Sequence, residues 1–339
     1  MPRTRDDVIV ERSKLGRLTR LAEGGQAVVY KVDDGSPIPG VDGPLVYKAY
    51  RADILQDSGY ALWASMPALI LRPDSMSSED RALVKQFFVW PQALVVEKNR
   101  ALGILMKLIP SPYFFDLKLS KGRTKERIFD GAQLMVPESK KSRRGIPSAS
   151  AAERMRLFLT TLSAVALLHR NGLIIGDFSE NNLIFTNPDR IPQGNERHLI
   201  PKFMDIDGFR MGSTQPAVKQ ANTNGWLVPE NVSAAREAAH LELAGASRSL
   251  TGAAKARASV QNSQSDVFKL GLFAIRLFHV PTESDPTLIA NVYTSKSAPS
   301  NIKRVLANNP AGAAAILAMT NTDPKARPTV SDILATFRR

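Results

Sequence analysis

The sequence predicts an α+β chain built in two parts, strands first and helices after, and three observations carry that prediction. With 339 residues the chain exceeds what one small core accommodates, so two lobes or two domains are expected. Before Pro110 several short apolar runs punctuated by glycine and proline read as strands, with Val28, Tyr30 and Val32 alternating at the period of two, and two helical segments lie among them. From Ala151 onward the apolar residues recur instead at helical spacing over longer segments.

Composition bounds the rest. Hydrophobic residues make up 43% of the chain, enough for globular cores. There are no cysteines, which excludes a disulfide framework and a thiolate zinc site. No apolar run approaches the roughly 18 residues of a membrane span, and the start lacks the apolar core of a signal peptide, so a cytoplasmic protein is expected. The formal charge of +13 favours acidic partners: nucleotide phosphates, nucleic acid or anionic lipid. Much of it lies in 118–144, where Lys121, Arg123, Lys125, Arg127, Lys140, Lys141, Arg143 and Arg144 are spaced by Gly, Ser and Pro. That stretch reads as a solvated, mobile segment, without the interleaved aromatics of a base-stacking surface. Nucleic acid or another acidic partner stays open there.

In chain order, a charged tail (1–15) precedes a strand, a Gly24-Gly25 turn and a second strand in which Val28, Tyr30 and Val32 alternate. The polar connection 33–44 leads to the strand Leu45–Tyr50, whose Lys48 either faces a ligand or guards a sheet edge. Leu62–Leu71 and Ser77–Phe88 read as helices, the second capped by Ser77 and ended before Pro91. The strands Ala93–Glu97 and Leu102–Leu108 follow, and Pro110 marks a boundary. Ala151–Asn171 is the clearest helix, and His169 at its end reads as structural. A short strand Asn182–Phe185, a turn over 187–197 and a strand from Pro201 lead to Asp205-Ile206-Asp207-Gly208. Residues 231–264, rich in Ala, Ser and Arg, read as a helical insertion, and Ala311–Met319 and Val330–Phe337 as closing helices.

The chemistry concentrates in Ile174–Phe185, where Asp177 precedes Asn182 by five positions. A carboxylate there can accept the proton of an attacking hydroxyl, and the amide can offer an oxygen to a metal on nucleotide phosphates; a plain turn would carry the same residue types. This stretch resembles the catalytic loop of the protein-kinase-like superfamily, His-Arg-Asp, four residues, then Asn. Ile175 and Gly176 stand for the His and Arg, which is the form of atypical, bacterial-style Ser/Thr kinase domains.

The resemblance implies a bilobal protein-kinase-like fold, with an antiparallel-sheet N-lobe over 16–109 and a mainly helical C-lobe over 110–339. It implies ATP and Mg2+ as cofactors, with Gly24, Gly25, Val29, Met106 and Leu108 around the nucleotide. Lys48 would bind phosphates, Asn182 and Asp205 the metal, and Asp177 would act as base; Asp207-Gly208 is the alternative register for the metal site. Ala22 and Ala27 replace the outer glycines of the phosphate-covering turn, and no helix glutamate is placed to pair with Lys48. Trp226–Glu230 resembles the end of an activation segment, Glu230 being expected to pair with Arg327. Ser265–Gly271 resembles the helix start that follows, with Asp266 on the catalytic-loop backbone. The implied activity is phosphoryl transfer to Ser or Thr of a protein substrate. A nucleotide-binding pseudokinase scaffold and a small-molecule kinase are the alternatives.

Overall fold

A computed structural model describes residues 3–35, 38–192, 198–220, 223–278 and 298–338, so parts of the predicted tail, of the 33–44 connection and of the 187–197 turn lie outside the described residues. The chain divides into two units, Met1–Pro110 with Asn171–Leu173 and Lys202–Lys219, and Ser111–Arg170 with Ile174–Pro201 and Gln220–Arg339.

The first unit is built on six strands: β1 (Ile9–Glu11), β2 (Leu18–Glu23), β3 (Ala27–Val32), β4 (Leu45–Tyr50), β5 (Pro91–Glu97) and β6 (Arg100–Lys107), in the order β1-β5-β6-β4-β3-β2. Every neighbour is antiparallel except β1, which pairs parallel with β5. The expected tail is therefore corrected: it supplies an edge strand and buries Val8, Val10 and Leu15. Three residues are too few for a period of two to register in the sequence.

Alternation along β5 and β6 sorts side chains to two faces. Ala93, Val95 and Leu105 join Val10, Leu15, Ile38 and Tyr47 in one core. Leu94, Val96 and Ile104 are buried on the other face, where helix α1 (Ala52–Leu71) packs with Leu62, Met66, Leu69 and Ile70. That helix begins ten residues before the predicted Leu62, because its first turns carry Asp53, Gln56, Asp57 and Gly59 and show no apolar stripe. Helix α2 (Ser78–Phe87) starts as its sequence indicates, with the Asp80 N–H donating to the Ser77 hydroxyl at 3.1 Å.

The second unit opens with the hairpin β7 (Phe114–Lys118) and β8 (Thr124–Ile128), then the short helices α3 (Gly131–Leu134) and α4 (Glu138–Arg144). The basic stretch is thus structured, not a mobile segment. Phe115 and Leu117 anchor the hairpin from its buried face, and Arg190 bridges Asp116 and Glu126 across it at 2.8 and 2.7 Å. Lys141 is fully buried and donates to Glu138 at 2.7 Å, a carboxylate that also takes Arg154 at 2.8 Å. Local charge density concealed these partners, which for Lys141 lie three residues away and for Arg154 and Arg190 lie 16 to 74 away.

Helix α5 (Ala151–Arg170) ends one residue before its predicted stop. Helices α6 (Pro229–Leu243) and α7 (Arg248–Ser259) pack on each other through small residues, Ala234, Ala238 and Ala254 among them, as the composition of the insertion suggested. Helix α8 (Ser263–Phe278) is buried from Ser265 to its end, and α9 (Ala298–Val305), α10 (Pro310–Met319) and α11 (Val330–Phe337) complete the unit. Among the described residues no helix is long and apolar enough to cross a membrane.

Candidate active site

Each unit carries one cluster of the predicted residues. In the first, β4 projects Lys48 and, two residues on and therefore on the same face, Tyr50; both are 6% exposed. Neighbouring β6 approaches so closely that a Cβ on Gly103 would lie 2.1 Å from the Lys48 carbonyl oxygen, and only glycine fits there. The segment after Phe203 supplies the carboxylates. Phe203 is fastened by the Val89 N–H, which donates to its carbonyl at 2.8 Å, and by its ring stacked on Phe88 at 5.1 Å.

Lys48 Nζ donates to Asp205 Oδ1 at 2.9 Å and to Asp207 Oδ2 and Oδ1 at 2.9 and 3.1 Å. Tyr50 donates its hydroxyl proton to Asp207 Oδ2 at 2.6 Å. Burial works against the charge on Lys48, but Asp207 and then Asp205 outweigh it and hold the ammonium above the ordinary lysine range. Burial, and next to it the charge of Asp207, likewise raises the Tyr50 phenol, which stays protonated as a donor.

The two aspartates are not equivalent. The Asp207 side chain is 2% exposed and bonded to Lys48 and Tyr50, while that of Asp205 is 49% exposed. Asp205 also takes the left-handed conformation, φ 54° and ψ 46°, which a residue other than glycine adopts at a cost. Asp207 is thus the buried partner of Lys48. Asp205 keeps an accessible carboxylate.

The predicted nucleotide contacts are less uniform. Gly24 and Gly25 lie in the exposed β2–β3 turn, where the Gly24 N–H donates to Ala27 O at 2.9 Å, and Val29 stands opposite Lys48 in the β3–β4 register. Met106 is buried opposite Val46. The Leu108 N–H donates to Pro44 O at 3.0 Å, so the sheet consumes the amide that a hinge would offer to adenine. A cavity of about 790 Å³ in this unit touches Leu108 beside Val84, Phe88, Trp90 and Lys202, but none of Val29, Lys48, Met106 or Asp205.

In the second unit the loop after α5 is held from α8. Asp266 accepts the Ile175 and Gly176 N–H groups at 2.9 and 2.8 Å and pairs with His169 Nε2 at 2.9 Å. Gly176 has φ +69°, and a Cβ there would lie 2.0 Å from Gln220 Nε2, whose amide donates to Ile175 O at 3.2 Å. Gln220 fills the space beside the loop that an arginine at 176 would need. Asn182 Nδ2 donates to the Asp177 carbonyl oxygen at 2.8 Å, which leaves the Asn182 amide oxygen for another partner. Thr223 Oγ1 donates to Asp177 Oδ1 at 3.0 Å. Glu230 takes Arg327 in a two-pronged pair at 2.9 and 2.7 Å, as expected.

Tyr50, Gln220 and Thr223 were not anticipated as site residues, nor was the structural role of Asp207. Tyr50 had a signal, its two-residue spacing from Lys48. Gln220 and Thr223 had none, since their contacts lie 45 and 46 residues away in sequence. Asp205 in the first unit offers an accessible carboxylate, and Asn182 in the second an amide oxygen; each is an oxygen donor of the kind Mg2+ takes while leaving its other positions to phosphate and water.

No protein-family model and no curated protein matches the sequence. Among solved structures, the chain is similar to the crystal structure of a double mutant of the Mycobacterium tuberculosis PknI kinase domain. The TM-score is 0.51 at 14% identity, over 94% of this chain and 93% of that one. The likeness carries the fold, an α+β protein-kinase-like architecture with an antiparallel-rich N-terminal sheet and a helical C-terminal region.

Proposed function

We propose that this chain is an ATP- and magnesium-dependent phosphotransferase that acts on Ser or Thr hydroxyls of a protein substrate in the cytoplasm. The observation that carries the proposal is the Thr223 hydroxyl, which donates to Asp177 Oδ1 at 3.0 Å. Asp177 thereby already accepts an aliphatic hydroxyl, the bond that a substrate hydroxyl has to make. The substrate oxygen would attack the γ-phosphorus while Asp177 accepts its proton; the bond from that phosphorus to the β,γ-bridging oxygen breaks and ADP leaves. Lys48 would neutralise phosphate charge, and its buried partner Asp207 fixes where it points. Asp205 and Asn182 would hold magnesium, which supplies charge neutralisation on the phosphates when bound.

A nucleotide-binding scaffold is the second reading, favoured by Ala22 and Ala27 at the turn and by the lack of a helix glutamate placed to pair with Lys48. Transfer of radiolabel from γ-labelled ATP, with magnesium, distinguishes the two. The expected result is slow labelling by the wild type and none by Asp177→Asn at unchanged nucleotide affinity. Binding without transfer in both would establish the scaffold reading.

A further inference from the structure

Lys269 stands where the pattern of α8 asks for a hydrocarbon. Val267, Phe268, Leu270, Leu272 and Phe273 around it are buried, and Lys269 itself is 0% exposed. Its Nζ donates to the Gly176 carbonyl oxygen at 2.6 Å, the oxygen of the peptide that joins Gly176 to Asp177. One helix therefore grips Gly176 at both ends, Asp266 taking its N–H and Lys269 its C=O. The charges around the ammonium are Asp177, Asp266 and Glu230; His169 pairs with that Asp266 and Arg327 with that Glu230. The loop 174–185 contains no Lys, Arg or His.

Burying an ammonium carries a large desolvation cost, and a hydrophobic residue of the same volume is often more stable in its place. We propose that Lys269 is a positioning residue, whose ammonium fixes the Gly176–Asp177 peptide and supplies from α8 the positive charge that the loop beside Asp177 lacks. Its catalytic consequence rests on the phosphotransfer reading above; its effect on the loop does not.

Burial pushes Lys269 down to about 8, although Asp177, Asp266 and Glu230 oppose the shift. It is charged below that value and neutral above it, whereas in the unfolded chain it keeps its proton to near 10.5. Between the two the unfolded state binds more protons, so this group makes global stability rise with pH. Over the same window the loop loses its ammonium and loosens. Local and global stability move in opposite directions, which a merely structural lysine would not produce.

The test combines hydrogen exchange of the 174–182 amides with urea unfolding, for wild type and Lys269→Met, at about pH 7 and about pH 9.5. Loss of a charged hydrogen bond predicts roughly tenfold lower loop protection in Lys269→Met at the lower pH, with an unfolding midpoint equal to wild type or higher. Wild-type loop protection, corrected for intrinsic exchange, falls on going to the higher pH and that of the variant does not. With an active enzyme, kcat falls in the variant while KM for ATP holds. Unchanged loop protection in Lys269→Met, or equal losses in the loop and in global stability, overturns the proposal. Should the variant not fold, constant wild-type loop protection across the two pH values overturns it equally. A wild type without transfer activity defeats the phosphotransfer reading and leaves the exchange result to decide this one.

Discussion

Lys48 is bound by two carboxylates of unequal exposure, and that inequality predicts opposite phenotypes. Asp207→Asn leaves a buried ammonium without its buried partner and is expected to cost about 3–5 kcal/mol in urea unfolding. Asp205→Asn removes a half-exposed partner, so its stability cost should stay within about 1 kcal/mol. In calorimetry Asp205→Asn should weaken ATP only when magnesium is present; a metal-dependent loss in Asp207→Asn instead would exchange the two roles. The sequence offered both aspartates and Lys48 and preferred Asp205 for the metal by its register, but it could not rank the two by burial. Ranking needed the burial that β4 and the segment after Phe203 create together, and Tyr50 to hold the winner. The contact between Asp177 and Asn182 was legible for the contrary reason: their five-residue spacing is local and survives without any tertiary knowledge.

Elements were legible in proportion to the length of their pattern. β4 and α11 have the predicted bounds, Leu45–Tyr50 and Val330–Phe337, because period and caps agree over six or more residues. β1 was missed as too short, and the β7–β8 hairpin because its apolar anchors are outnumbered by lysines and arginines. The pairing of β6 with β4 gives a further prediction. A valine at 103 forces its Cβ against the Lys48 carbonyl, so the strands must part. Gly103→Val should lose about 1–3 kcal/mol of stability as an overpacked site does. It should also weaken ATP, since Lys48 moves with its strand; a stable Gly103→Val with wild-type affinity would mean that β6 does not set the position of Lys48.

For the molecule as a whole, the charge of +13 has a visible location. On the hairpin and α4, Lys118, Lys121, Arg123, Lys125, Arg127, Lys140, Arg143 and Arg144 are all exposed. Retention on immobilised heparin should fall steeply with salt, and replacing Lys121, Arg123 and Lys125 by glutamate should shift elution to much lower salt. Elution unchanged by that replacement would place the polyanion-binding charge elsewhere. The resemblance ties phosphate control of the activation segment to an arginine at 176, and here that position is a glycine roofed by Gln220. Phosphatase treatment should accordingly leave transfer activity unaltered. The same close fit couples two positions. Arginine at 176 collides with Gln220, and a smaller residue at 220 alone gives up its bond to Ile175 while nothing fills the gap. A change at 176 is therefore expected to depend on which residue stands at 220, and a double-mutant cycle on the two positions reads that coupling.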